Sequence, residues 1–360
     1  MFVITNRVLH EERGGLEVFG HEPNPSGPNE LRLVEVTGST RFTTTVLADR
    51  LTREEVEALA LQHHLPIDPD TPWYASLRVA CAVFDQARRE GKHILLLVHG
   101  YNNDLRDVFT AAVELEHLYN VIVVPFSWPA NGGGALSGTL AYKNDKDDAR
   151  SSATALHRAV GLLHRYHALL TAGIQATLLE QARRKHPNSP EQAQALFTRL
   201  LEKECSLTLN LLCHSMGNYL AKYASMPGDS SLRQLVFDNI ALVAADANNP
   251  GHEQWVPRLQ CRNRLYVVIN ENDYALKWSR RKPGGEQRER LGQHTRNLLA
   301  RNANYVDVTA SRGVGADHSY FKGKPVAGNA GLKRMFKLMF EGGNAEAALT
   351  YHVDRNLYRL

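Results

Sequence analysis

The stretch LTLNLLCHSMGNYLAKYASM, residues 207–226, decides the fold. Leu207, Leu209, Leu211 and Leu212 form an apolar run that reads as a short strand ending near Cys213. The segment MGNYLAKYASM that follows has the pattern of a helix. Ser215 therefore lies at a strand-to-helix turn, where a sharp bend holds its hydroxyl clear of both elements. A serine hydroxyl is a weak nucleophile. It needs a base within hydrogen-bond reach, an acid to orient that base, and donors for an oxyanion. In an open parallel sheet, distant residues meet where the strands end, so the partners are sought just after other strands.

Such strands recur on both sides. HILLLVHGYNN (93–103) is apolar without a break from Ile94 to Val98, as in strands buried on both faces of a parallel sheet. VIVVPFSWP (121–129) reads as a strand stopped by Pro125 and Pro129. NIALVAAD (239–246), RLYVVIN (264–270) and NYVDVT (304–309) follow, with helical patterns between and after them. Strands alternating with helices predict an α/β fold, with a mostly parallel central sheet and helices on both faces. Asp246, Asp273 and His318 each fall just after one of these strands. The chain order is then Ser, Asp, His, with Asp273 and Asp246 both open as the acid.

Five pieces resemble the α/β-hydrolase superfamily, and more narrowly a bacterial group of unknown function described as serine esterases. They are LLLVHGYNN, FSWPA, LLCHSMGN, NENDYAL and VDVTASRGVGADHSYF, spread over roughly residues 93–341. The resemblance implies a serine nucleophile, Ser215, with His318 as base. It favours Asp273 through its NDxAL context, and it implies an oxyanion hole from the backbone N–H groups of Met216 and Tyr101. It implies no substrate. The sequence departs from G-x-S-x-G at the first glycine, which here is Cys213; Gly217 is retained. The expected activity is cleavage of an ester or thioester through an acyl-enzyme, as in esterases and lipases. The alternative is a non-catalytic α/β-hydrolase scaffold that binds a partner through its helical insertion.

The division expected along the chain has three parts. Residues 1–90 form an N-terminal β-containing extension with strands and helices packed on the core. Residues 91–345 form the hydrolase core, with a helical insertion at 145–204 as a candidate cap. Residues 346–360 form a C-terminal tail. The Gly-rich NGGG at 131–134 suggests a hinge for that cap. Thr52 with Glu55, and Ser189 with Gln192, carry the spacing of helix N-caps.

Composition narrows the partners. The chain has 360 residues, 43% of them hydrophobic, and a formal net charge of +4. That charge is too small to point to nucleic acid. The tract 277–301 is rich in Lys and Arg and suggests contact with a membrane surface. Cys81, Cys205, Cys213 and Cys261 show no paired spacing and are expected as free thiols. No H-E-x-x-H helix occurs, and a metal site from Asp246, His252, Glu253 and His318 is discounted, so no metal or cofactor is expected. The N-terminus has no basic start followed by an apolar stretch, and no apolar run is long enough for a span. A cytoplasmic protein acting on a small-molecule or lipid ester is the resulting expectation.

Overall fold

The computed structural model describes residues 1–101, 105–130, 146–204, 207–228, 230–281 and 288–360. Asn102, Asn103 and the NGGG hinge lie outside the described residues, as do Cys205 and the 282–287 part of the basic tract.

The parallel strands are β6 (His93–Val98), β7 (Val121–Ser127), β8 (Leu209–His214), β9 (Phe237–Val243), β10 (Cys261–Ile269) and β11 (Ala303–Asp307). They form the centre of an eleven-stranded sheet among the described residues, in the order β11-β10-β9-β8-β6-β7. Beyond β7 the sheet continues through β1 (Phe2–Thr5), β4 (Arg32–Thr37) and β5 (Thr43–Val46). β1 runs parallel to β7, and β4 and β5 return antiparallel. β2 (Arg7–Leu9) and β3 (Phe19–Pro23) form a separate two-stranded ribbon. Asn6 thus separates β1 from β2, and the two strands go to different sheets.

The run Ile94–Val98 is apolar throughout because both of its faces are covered. Ile94, Leu96 and Val98 join one core, with helices α2 (Ala75–Glu90), α4 (Ala153–Lys185) and α6 (Gly217–Ala224). Leu95 and Leu97 join the other, with α3 (Leu105–Leu118) and α8 (Ala330–Phe340). The expected caps are formed. Thr52 and Glu55 make a reciprocal capping box on α1 (Arg53–His63), and Ser189 Oγ accepts from Gln192 N at the start of α5 (Pro190–Glu204).

Three expectations need correction. The strand at 121–127 runs through Pro125. Its pairing with β1 begins only at Phe126, so on that edge no ladder exists at Pro125 for a missing N–H to break. Residues 346–360 are not a tail. β13 (Leu357–Arg359) pairs parallel to β11, and β12 (Thr350–His352) pairs antiparallel to β13. The third concerns the segment expected as a cap. Ala155, Leu156, Ala159 and Val160 of α4 are buried in the same core as Leu96, Leu211 and Leu220. Farther along α4, Leu170, Ile174 and Leu178 line a hollow with His63, Asp85 and Arg88. Arg88 lies just ahead of β6, so this part of α4 is at the end where the parallel strands begin. Ser215 is at the end where they finish. The helix is a layer of the fold, and its distal half points away from Ser215.

That placement predicts the effect of truncating Leu156, which is fully buried. Leu156→Ala should lower stability by about 2–5 kcal/mol, as for other large-to-small changes in packed cores. Urea unfolding would measure it. A helix serving only as a lid would leave the midpoint unchanged.

Candidate active site

The turn after β8 is tight. Ser215 has φ 54, in the left-handed region that non-glycine residues seldom occupy. Hydrogen bonds hold it there. Ser215 N donates to Val243 O at 3.1 Å, and its carbonyl accepts from Asn218 N and Asp246 N, both at 3.1 Å. The Asn218 side chain sits inside the turn. Its Nδ2 donates to Cys213 O and Ser215 O at 3.0 Å and to Val243 O at 3.2 Å. Sequence reasoning missed Asn218; the signal was a polar residue on the buried side of an otherwise apolar helix start.

Two glycines let the neighbouring backbone close in. A Cβ on Gly217 would stand 2.4 Å from Val98 O, so α6 starts hard against the end of β6. A Cβ on Gly100 would stand 2.6 Å from Ser215 Cβ and 3.1 Å from its Oγ. The backbone at Gly100 therefore flanks the hydroxyl, and Met216, the next residue after Ser215, caps α6. His99 fixes this loop. Its ring stacks on Trp128 with centroids 5.4 Å apart, and Nε2 accepts from Trp128 N at 3.3 Å. Nδ1 then carries the proton and donates to Gly100 O at 2.9 Å. Burial, with Arg7 adding to it, pushes the His99 ring down to about 3, so it stays neutral.

Asp273 and His318 are brought together. His318 Nδ1 lies 2.7 Å from Asp273 Oδ2. Asp273 is fully buried, and its Oδ1 accepts from Leu276 N at 3.0 Å at the start of α7 (Tyr274–Arg281). The His318 loop is tied to the end of β10 by Asn270, whose Nδ2 donates to Gly315 O at 3.1 Å and Asp317 O at 3.0 Å. It is tied to the serine turn by His214. His214 Nε2 donates to His318 O at 3.0 Å, and the two rings are 4.7 Å apart. Burial, then the nearby His318, holds His214 well below the ordinary histidine value.

Asp246 has other partners. Its Oδ1 accepts from Ser279 Oγ at 2.5 Å and pairs with Arg290 Nε at 2.9 Å, and both charged side chains are buried. Arg290 belongs to a segment that threads between strand ends. Leu291 N donates to Ala247 O, Gly292 N to Ala245 O, and Asn270 N to Gly292 O. The basic tract is therefore not one solvated face. Lys277, Arg280, Arg281, Arg288, Arg296 and Arg301 are exposed and Arg290 is internal.

Burial raises the Cys213 thiol, and the Cys81 thiol to about 12, which makes both poor nucleophiles. His252 is satisfied by Asn249 O and Tyr305 Oη, at 2.6 and 2.5 Å. Among the described residues no cluster of three His, Cys, Asp or Glu is suited to a metal ion. No helix among them is long and apolar enough to cross a membrane.

Residues 80–174 match the model of a family described as alpha/beta hydrolase of unknown function (DUF900). No curated protein and no solved structure shows a significant match to the chain. The match agrees with the resemblance seen in the sequence. The large, mostly parallel sheet with helices on both sides is that of the α/β-hydrolase fold, and the chain has a hydrolase-type scaffold.

Histidines covered wholly or in part should make the fold acid-sensitive. His93, His99, His167, His214 and His252 are all depressed, with burial the first cause in each. Such a group contributes stability above its unfolded value, about 6.5, and loses it as pH falls toward the folded value. For His99 that window reaches down to about 3. The thermal midpoint should therefore drop between pH 7 and 4. The drop should be shallower in His99→Asn, which keeps a donor and an acceptor without a titrating ring. Parallel curves for the two proteins would remove His99 from this account.

Proposed function

We propose that the chain is a serine hydrolase that cleaves a carboxylic ester or thioester through an acyl-enzyme. The observation that carries this reading is the 2.7 Å contact between His318 and buried Asp273, tied through His214 to the turn that holds Ser215 at positive φ. In this reading His318 Nε2 takes the Ser215 proton as Oγ attacks the acyl carbon. Asp273 holds the ring with its proton on Nδ1 and stabilises the imidazolium that forms. The N–H groups of Met216 and Tyr101 receive the oxyanion. The proton then passes from His318 to the leaving oxygen or sulfur, and water, activated by the same ring, releases the acid and frees Ser215.

The rim favours a substrate presented at an anionic surface. Exposed Tyr274 and Trp278 share α7, the helix that begins just after Asp273, with Lys277, Arg280 and Arg281. Such a surface supports contact with lipid headgroups.

A fluorophosphonate probe and short p-nitrophenyl esters test the reading. Both labelling and turnover should vanish in Ser215→Ala, with turnover falling about a millionfold. A folded mutant that retained a tenth of the rate would end the proposal. Absence of labelling in the native chain would favour the partner-binding scaffold.

The two aspartates separate by readout. Asp273→Asn should cost on the order of ten-thousandfold in turnover through the wrong histidine tautomer. Asp246→Asn should leave turnover of the folded protein nearly intact and cost about 3–5 kcal/mol of stability, because it breaks the buried ion pair with Arg290. The opposite pattern would make Asp246 the acid.

A further inference from the structure

The helical layer over one sheet face is incomplete. Between α2 and α4, above β6, β7 and the start of β8, lies a cavity of about 450 Å³. That falls within the roughly 300–1,000 Å³ range of small-molecule sites. Its floor is Ile94, Leu96, Val124 and Leu209, and its walls include Val83 and Phe84 of α2 with Ala159 and Leu162 of α4. Ser215, Asp273 and His318 do not line it.

The mouth is cationic. Four arginines and two acids stand there: Arg32, Arg50, Arg158, Arg165, Glu30 and Asp49. Both acids are taken. Arg158 pairs with Glu30 at 3.2 Å, and Arg32 with Asp49 at 2.9 Å. Among the described residues neither Arg50 nor Arg165 has a carboxylate within ion-pair distance. Arg165 lies 4.5 Å over the ring of Trp73, and Arg50 is bridged through its backbone to Tyr74, the next residue. Arg165, over Trp73, and Arg50, next to Tyr74, thus line the entrance to an apolar chamber without a counter-charge among the described residues. An apolar floor selects a hydrocarbon, and unpaired guanidinium groups select a planar anion.

We propose that this cavity binds a long-chain carboxylate. Its acyl chain lies over Ile94, Leu96 and Val124, and its carboxylate sits between Arg50 and Arg165. The site is separate from Ser215 and does not depend on the hydrolase reading. Burial of the chain should raise affinity by about fourfold per methylene until the cavity is filled.

Displacement of a fluorescent polyene carboxylate from the full-length chain tests this, with octanoate to hexadecanoate, hexadecanol and a hexadecylammonium salt as competitors. Affinity should climb along the acid series, and the acid should bind at least tenfold more tightly than the alcohol or the ammonium. Ala159→Phe, which fills the cavity, should weaken hexadecanoate at least tenfold. Arg50→Glu with Arg165→Glu, both at exposed positions, should weaken the acid by a similar factor and spare the alcohol. Failure of the acids to displace the probe would overturn the proposal, as would affinity surviving Ala159→Phe or equal affinity for acid and ammonium. If Ala159→Phe does not fold, the double arginine variant decides, and unchanged acid binding by it overturns the proposal. Competition at Ser215 by the same acid would survive both sets of changes, which keeps the two sites apart.

Discussion

Where α6 meets the end of β6, Gly217 lies against the carbonyl of Val98 with no room for a Cβ, which would fall at 2.4 Å. Much else follows from that closeness. It forces the chain to turn within a single residue after β8, and Ser215 takes a left-handed φ to do so. Such a conformation carries strain, and surrounding bonds must hold it. Asn218 supplies them from inside the turn, through three carbonyls that belong to β8, the turn itself and β9. The same closeness brings the loop after β6 alongside the hydroxyl. His99 and Trp128 lock that loop with a stacked pair and backbone bonds that need no charge. Serine turn, loop and the start of α6 are therefore joined into one body by close backbone approach and by the side chains of Asn218, His99 and Trp128.

His318 comes to this body from outside it, on a loop with no regular structure of its own. Its position is set by two polar links of different kinds. Asn270 holds the loop through main-chain carbonyls, and His214 holds the carbonyl of His318 itself. Asp273 then fixes the ring. A side chain carried by a loop gains precision when neighbouring backbone is bonded to rigid strand ends, and here those ends are β10 and β8.

Local patterns in the sequence revealed part of this and concealed the rest. Runs such as Ile94–Val98 announce a strand covered on both faces, and the residues after such strands announce a crevice. That reasoning pointed to Ser215, Asp273 and His318, and of these the structure has Asp273 and His318 in contact. Periodicity along α4 told which side of the helix is apolar but not what covers it. An apolar stripe looks the same under a lid as in a core layer, so the cap expectation and the observed layer had equal support. β12 and β13 are each three residues long, too short for alternation to register. Arg290 was hidden among exposed arginines because charge density along a chain carries no record of depth.

The contrast between Asp246 and Asp273 shows how depth and partner divide the work of like residues. Both are buried acids at the ends of adjacent strands, and composition alone cannot rank them. A buried carboxylate must be matched by a cation or by donors. Asp246 is matched by a permanently charged guanidinium and a hydroxyl, so its charge is fully used in joining the 288–293 segment to β9. Asp273 is matched by a backbone N–H and a histidine, a partner whose charge can change. An ion pair with arginine has no second state to offer. A carboxylate facing a titratable ring can stabilise a positive charge that appears only when a proton arrives. The arrangement of counter-ions therefore ties Asp246 into the joint between the sheet ends, whereas Asp273 keeps the histidine contact that the proposed acid requires.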